Sequence, residues 1–334
     1  MTATQIHIQN TRLFPKSFGA GAYNLTGIAA RCDWVIMTDT NSEKVFTHGN
    51  LLKQPSIVFL SMRAPFVGLL YFFREILPRI NQKFVLITAS EDVTLPNQID
   101  ARWRSFNHDE KEIIKNILND KRVIHWFAEN VDETHVKMTS LPLGYVFEHK
   151  ESELIEVPAL SSRLKDRALK VLCSHRVRIG KQWDARRHVT RLCEQDLSEY
   201  STVITEEISY ANYLQQVRRH PFILCVQGGG IDPSPKAWMA IVNGTIPIIK
   251  SSPLDDSYSQ LPAVIVEDWN SNCITKDKLR HWIQALEPFY EDTNLRAETL
   301  NRLSLDYWWE QILASFHNEY PITMKEQRRP FAVR

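Results

Sequence analysis

Short runs of β-branched and aliphatic residues alternate along this chain with segments of helical periodicity, and no other feature of the sequence limits the fold as strongly. DWVIMTD, SIVFLSM and KFVLITA read as buried strands, with PFVGLLYFFREIL as a helix between the second and third. A helix over Asp109 to Leu118 keeps Ile113, Ile114, Ile117 and Leu118 on one stripe, and RVIHWFA and TSLPLGYVF read as further strands ending near Phe147. A second series follows: strand ALKVLCS, a helix from about Lys181 to Glu194, strand STVIT, a helix around Tyr210 to Val217, strand PFILCVQ, a Gly-rich turn, helix KAWMAIVN, strands TIPIIK and AVIVED, and a helix from Lys276 to Leu286. Strands and helices in this order build parallel sheets through crossover connections, so the fold class is α/β.

At roughly 150 residues per domain, 334 residues leave room for about two. Between His149 and Arg167 the sequence (HKESELIEVPALSSRLKDR) turns charged and loses periodicity, as a linker does, which divides the chain into 1–160 and 161–334. Helical segments from Leu295 to Phe316 are expected to pack back on the first domain.

Forty Lys+Arg against thirty-nine Asp+Glu give a net charge of +1, too balanced for a chain that blankets nucleic acid or an anionic membrane. A small or neutral partner is expected instead, and no nucleic acid. The five cysteines (Cys32, Cys173, Cys193, Cys225, Cys273) never form CxxC, which argues against a disulfide framework or a zinc knuckle. With no apolar h-region in MTATQIHIQNTRLFPK, and with Arg63 and Pro65 inside the apolar stretch from Ser56 to Phe73, a cytoplasmic location without a transmembrane segment is expected. Asp255 and Asp256 lie in a Ser/Pro-rich loop and read as turn residues, so no catalytic metal is expected.

The stretch from His220 to Trp269 carries the most chemistry. A buried strand runs into Gly228, Gly229 and Gly230, and a helix opens near Pro235. Glycines there let backbone N–H groups approach a ligand closely, and a helix start favours phosphate; a tight turn with no ligand explains the same residues. The spacing is neither GxGxxG nor GxxxxGK[ST], so neither a dinucleotide fingerprint nor a Walker-type loop is present.

From that stretch the chain resembles the donor-binding half of exostosin-like glycosyltransferases of the GT-B fold, in which the usual pattern is G-x-D, Arg, x, Trp, Glu, Ala, Leu, then Gly and I-P-V. Asp232, Trp238, Ala240, Gly244 and Pro247 match. Lys236 stands where the arginine would be, with one extra residue after Asp232, and Met239 stands where a glutamate would accept hydrogen bonds from the donor ribose. The first half resembles the family more weakly, in FVLITASEDVTLP and in VIHWFAENV followed by SLPLGYV, through Asp92, Pro96, Trp126, Asn130, Pro142 and Gly144. The resemblance implies two Rossmann-like domains facing a cleft. It also implies transfer of a sugar from a nucleotide-sugar, UDP- or GDP-linked, to a glycan or other hydroxyl acceptor, with no further cofactor. A non-catalytic glycan- or nucleotide-binding descendant of that fold is the alternative, to which Met239 and Lys236 lend weight.

From Arg163 to Arg191 there are ten Lys/Arg and two acids, net +8. Arg186, Arg187 and Arg191 sit at helical spacing and read as a solvated face, whereas Arg176 and Arg178 follow a strand end and, with Gly228, Gly229, Gly230, Asp232 and Lys236, are expected to hold the donor diphosphate. Arg163, Lys165 and Arg167 sit in the linker and are not. An inverting transferase needs a base near the acceptor hydroxyl; Asp92, Glu91 and Glu129 are the candidates, with His125 beside them at strand ends, although any of them serves equally well as a cap or a solvated residue.

Overall fold

The computed structural model describes residues 7–9, 25, 27–39, 44–144, 154–160, 162–233, 235–317 and 331–334. Its strands are β1 (His7–Gln9), β2 (Trp34–Thr38), β3 (Val45–Gly49), β4 (Ile57–Ser61), β5 (Phe84–Ala89), β6 (Val123–Ala128), β7 (Met138–Ser140), β8 (Leu154–Glu156), β9 (Val171–Cys173), β10 (Ser201–Val203), β11 (Phe222–Leu224), β12 (Ile246–Lys250) and β13 (Val264–Val266). Its helices are α1 (Pro65–Tyr71), α2 (His108–Asn119), α3 (Asp184–Glu194), α4 (Tyr210–Arg219), α5 (Lys236–Val242), α6 (Asp255–Tyr258), α7 (Lys276–Leu286), α8 (Pro288–Glu291), α9 (Thr293–Arg302) and α10 (Leu305–Ala314).

Two separate sheets form, as the alternation requires. The first runs β3-β2-β4-β5-β6-β7, parallel throughout except for β3, which pairs antiparallel with β2. Strands β2, β4 and β5 are buried along their whole length, the pattern of parallel strands covered on both faces. The second sheet is wholly parallel, in the order β10-β9-β11-β12-β13. From β9 the chain crosses to β10 on one side and then returns to β11 on the other, so the order reverses between β9 and β11. In open α/β sheets a crevice opens at the carboxyl ends of the strands at such a reversal.

The helices start where local chemistry allows. Asn107 caps α2 by accepting from Glu110 N (2.9 Å) while Glu110 accepts from Asn107 N (2.9 Å), and Ser304 caps α10 by accepting from Tyr307 N (3.1 Å). Helix α10 lies against the residue 27–31 turn of the first half, where Arg31 donates to Asp306 (2.6 Å), so the C-terminal helices do pack back across the chain. Residues 331–334 return to the second sheet, where Val333 bridges Val264.

Several expectations need correction. PFVGLLYFFREIL is not one α-helix: α1 stops at Tyr71 and continues as a π turn and a 3-10 turn. The segment from Lys181 begins as a 3-10 turn before α3. TSLPLGYVF contributes only β7 up to Ser140, and its last three residues lie outside the described residues. The aperiodic linker contains β8, which pairs antiparallel with β1. His125 is not at a strand end but within β6, buried, with its Nε2 2.9 Å from Thr139 Oγ1.

Burial, together with the nearby charges of His135 and Lys137, lowers the His125 pKa from 6.5 to about 4. The unfolded chain therefore binds a proton between pH 6.5 and 4 that the fold refuses. Stability is full above pH 6.5 and is expected to fall by about 2–3 kcal/mol from this group as the pH drops to 4. Urea midpoints measured at both pH values check this, and an undiminished slope in His125→Phe would contradict it.

Candidate functional site

Residues 174–180 after β9 and residues 225–233 after β11 form two walls at the reversal of the second sheet, where a crevice is expected. Two cations span these walls. Arg186, from the first turn of α3, donates through Nε to Gln227 O (3.2 Å) and through a terminal nitrogen to Arg176 O (3.2 Å), and it lies over the Trp183 ring at 4.6 Å. Lys236, the first residue of α5, donates through Nζ to Ser174 O (3.2 Å). Both side chains are partly buried, and among the described residues neither meets a carboxylate. Burial, reinforced by Arg186, lowers the Lys236 pKa to about 8; burial, reinforced by Arg178, lowers that of Arg186 to about 10. Two desolvated cations facing each other, with no carboxylate partner among the described residues, form a site that an anion would stabilise.

The glycine triplet borders this pair, and its close-approach space is filled by side chains. A Cβ on Gly228 would meet the Arg186 guanidinium, one on Gly229 the Arg102 guanidinium, and one on Gly230, which sits at φ +61°, the Asn130 amide. Arg102 and Asn130 come from the loops that follow β5 and β6, so the carboxyl ends of the two sheets face one another across the triplet. Asn130 Oδ1 accepts from Ile231 N (3.0 Å) and Asp232 N (3.2 Å), and Asp100 accepts from Gly230 N. Asp232 is buried, accepting from Leu143 N (2.8 Å) and from the Tyr258 hydroxyl. Ser140 and Ser257 hydroxyls meet at 2.6 Å.

Of the residues singled out from sequence, Lys236 and the three glycines lie at the crevice. Asp232 lies beside them, engaged in joining the two halves. Arg176 and Arg178 are exposed: Arg176 pairs with Glu207 (3.1 Å), and the Arg178 guanidinium lies 5.8 Å from the Trp183 ring. Asp92 faces the same region and forms an ion pair with Arg102. Glu91 accepts from Asp92 N (3.0 Å), and the buried Glu129 accepts from Ser90 N (2.7 Å), so both hold the loop that carries Asp92.

Met239 is buried on α5 next to Trp238, which packs edge-on to Tyr258 (5.5 Å) and against Trp308 (6.4 Å). Glu267 is exposed at the end of β13. His175 is buried under α3, its Nε2 3.0 Å from Arg186 O and 3.1 Å from Thr190 Oγ1. Arg167 is not a linker cation: it is buried and donates to His220 O (3.1 Å) and Gly244 O (2.7 Å).

Sequence reasoning missed Arg186, Arg102 and Asp100. Arg186 sits at the spacing of a solvated helix face, and only its position in the first turn of α3, above the end of β9, directs it inward. Arg102 and Asp100 lie in a loop without periodicity. The sole sequence signal for them is indirect: three consecutive glycines announce that something approaches closely.

No family model matches this chain, and no curated protein does. Among solved structures it is similar to the catalytic domain of starch synthase IV from Arabidopsis thaliana bound to ADP and acarbose, at 10% identity and a TM-score of 0.36, covering 82% of this chain and 74% of that one. It is also similar to a sucrose-phosphate synthase from Thermosynechococcus elongatus (11% identity, TM-score 0.40, 81% and 74% covered) and to the lipopolysaccharide outer core galactosyltransferase WaaB (10% identity, TM-score 0.39, 80% and 77% covered).

Proposed function

We propose that this chain is a nucleotide-sugar-dependent glycosyltransferase of the exostosin-like kind, working in the cytoplasm, with the donor on the 161–334 half and a glycan or other hydroxyl acceptor on the 1–160 half. The observation that carries this reading is the pair Lys236 and Arg186, partly buried at the reversal of a parallel sheet, without a carboxylate partner among the described residues, beside a glycine triplet. A diphosphate supplies the charge this pair lacks. As the sugar leaves, negative charge grows on the diphosphate, and cations already fixed in the crevice stabilise it there without a metal ion. The donor is a UDP- or GDP-linked hexose. Asp92 is the base for the acceptor hydroxyl, since it faces the triplet from the opposite half, while Glu91 and Glu129 hold its loop. Arg176 and Arg178 lie on the outer wall and contribute by field. Among the described residues no helix is long and apolar enough to cross a membrane, and contact with a membrane, if an acceptor demands it, is peripheral.

A specific observation favours a second reading, a binding protein without turnover. Asp232 is engaged by Leu143 N of the other half and by the Tyr258 hydroxyl of its own, and the buried Met239 offers no carboxylate for a ribose. One experiment addresses both readings: thermal shift against UDP, GDP, CMP and ADP and their sugars, followed by release of nucleotide from whichever sugar conjugate binds. A ligand at ~100 times its dissociation constant should stabilise the chain by about 2.7 kcal/mol. Binding with turnover supports the transferase, binding without turnover the second reading, and no shift with any nucleotide removes both.

A further inference from the structure

We infer that Arg102 determines specificity for a diphosphate over a monophosphate, exchanging its ion pair with Asp92 for the second phosphate and thereby releasing the carboxylate. The inference rests on the donor site proposed above. Arg186 lies against Gly228 and Arg102 against Gly229, so guanidinium groups from opposite halves of the chain flank adjacent residues whose Cα atoms are ~3.8 Å apart. With a first phosphate held by Arg186 and Lys236, Arg102 is the cation of the facing half placed to take the second.

The partners of Arg102 are unequal. Asp100 has a side chain only 3% exposed and accepts from Arg102 N (2.8 Å), Arg102 Nε (3.1 Å) and Gly230 N, so it is anchored and fixes the direction of the guanidinium. Asp92 is 21% exposed and Arg102 29%, so water reaches this ion pair while Asp100 is sealed from it. Burial opposes the charge on Arg102, but Asp92 and Asp100 more than offset it and raise its pKa, so the group enters the exchange fully protonated. A phosphate offers the planar guanidinium the same two-point geometry as a carboxylate with more charge. Arg102, once on the phosphate, no longer occupies Asp92, which ties proton removal from the acceptor to the presence of the donor.

The test is calorimetric titration of UDP and UMP, and of GDP and GMP, into the full chain and its Arg102→Ala, Arg102→Lys and Asp92→Asn variants. The expected result is a loss of tenfold or more in diphosphate affinity for Arg102→Ala, with monophosphate affinity within twofold of the parent. Arg102→Lys should recover part of the loss. Asp92→Asn, which removes the competing anion, should tighten the diphosphate severalfold and leave the monophosphate unchanged. This variant also decides the matter if Arg102→Ala fails to fold. Equal losses for both phosphates, or no loss in Arg102→Ala and no gain in Asp92→Asn, overturn the role of Arg102 while leaving the donor site standing. If neither nucleotide pair binds the parent chain, the donor site itself is wrong and Arg102 has no such role.

Discussion

Lys236→Met is expected to abolish binding of nucleoside diphosphates and at the same time to raise the stability of the unliganded chain. The lysine pKa is lowered from 10.5 to about 8, principally by burial. Between pH 8 and 10.5 the unfolded chain holds a proton that the folded chain has released, so stability rises with pH across that window and is lowest below pH 8, where the buried cation is fully present. At about 1.4 kcal/mol per unit the ceiling of this penalty is ~3 kcal/mol, and solvent at the partly exposed side chain reduces it to the order of 1–2 kcal/mol. Methionine is unbranched like the lysine stem and carries no charge, so the penalty disappears. A melting temperature that rises at pH 7 and converges with the parent near pH 10, together with a loss of diphosphate binding of a hundredfold or more, is the expected pair of results. In the parent, diphosphate affinity should weaken as pH rises through about 8. Loss of binding accompanied by loss of stability would mean that Lys236 holds the Ser174 loop rather than awaiting an anion.

Asp92→Asn is expected to reduce turnover by about a hundredfold to ten thousandfold, the usual contribution of a positioned base, although the same change tightens the donor. An amide has the shape of the carboxylate but cannot take the proton. Glu129→Gln separates this role from support of the loop: Glu129 is buried and accepts from Ser90 N, a bond that the amide oxygen can also accept, so turnover should stay within tenfold. Should Glu129→Gln prove the more damaging of the two with the melting temperature unchanged, the base is Glu129 and the assignment of Asp92 is wrong.

The parallel sheets were legible because each strand carries its own signature. IVFLS and FVLITA are buried on both faces and therefore apolar at nearly every position, and stripes such as Ile113, Ile114, Ile117 and Leu118 mark the helices that cover them. Where the signature depends on partners, reading stopped. VFTHG has no alternation strong enough to reveal β3, which exists because β2 offers an edge, and β1 and β8 are three residues each and pair with one another from far apart in the chain. His125 stands inside the strand that RVIHWFA announces rather than at its end, and burial rather than catalysis accounts for it.

The site divides in the same way. Lys236 and the glycine triplet stand at a strand-to-helix junction that local sequence specifies, so two α/β series and, from Phe222 to Val242, a loop suited to close approach are legible in the residues alone. What approaches that loop depends on the assembled fold. Arg186 is separated from Gly228 by 42 positions, and Arg102 from Gly229 by 127, and no periodicity acts over such distances. The order of strands in the second sheet sets β9 beside β11 and brings Arg186 to Lys236, and the facing carboxyl ends of the two sheets bring Asp92, Asp100 and Asn130 to the same loop. Secondary structure follows from interactions within a few residues, which a sequence displays directly. A constellation of charges follows from which strand ends the topology places together, and that is settled only when the sheets are assembled.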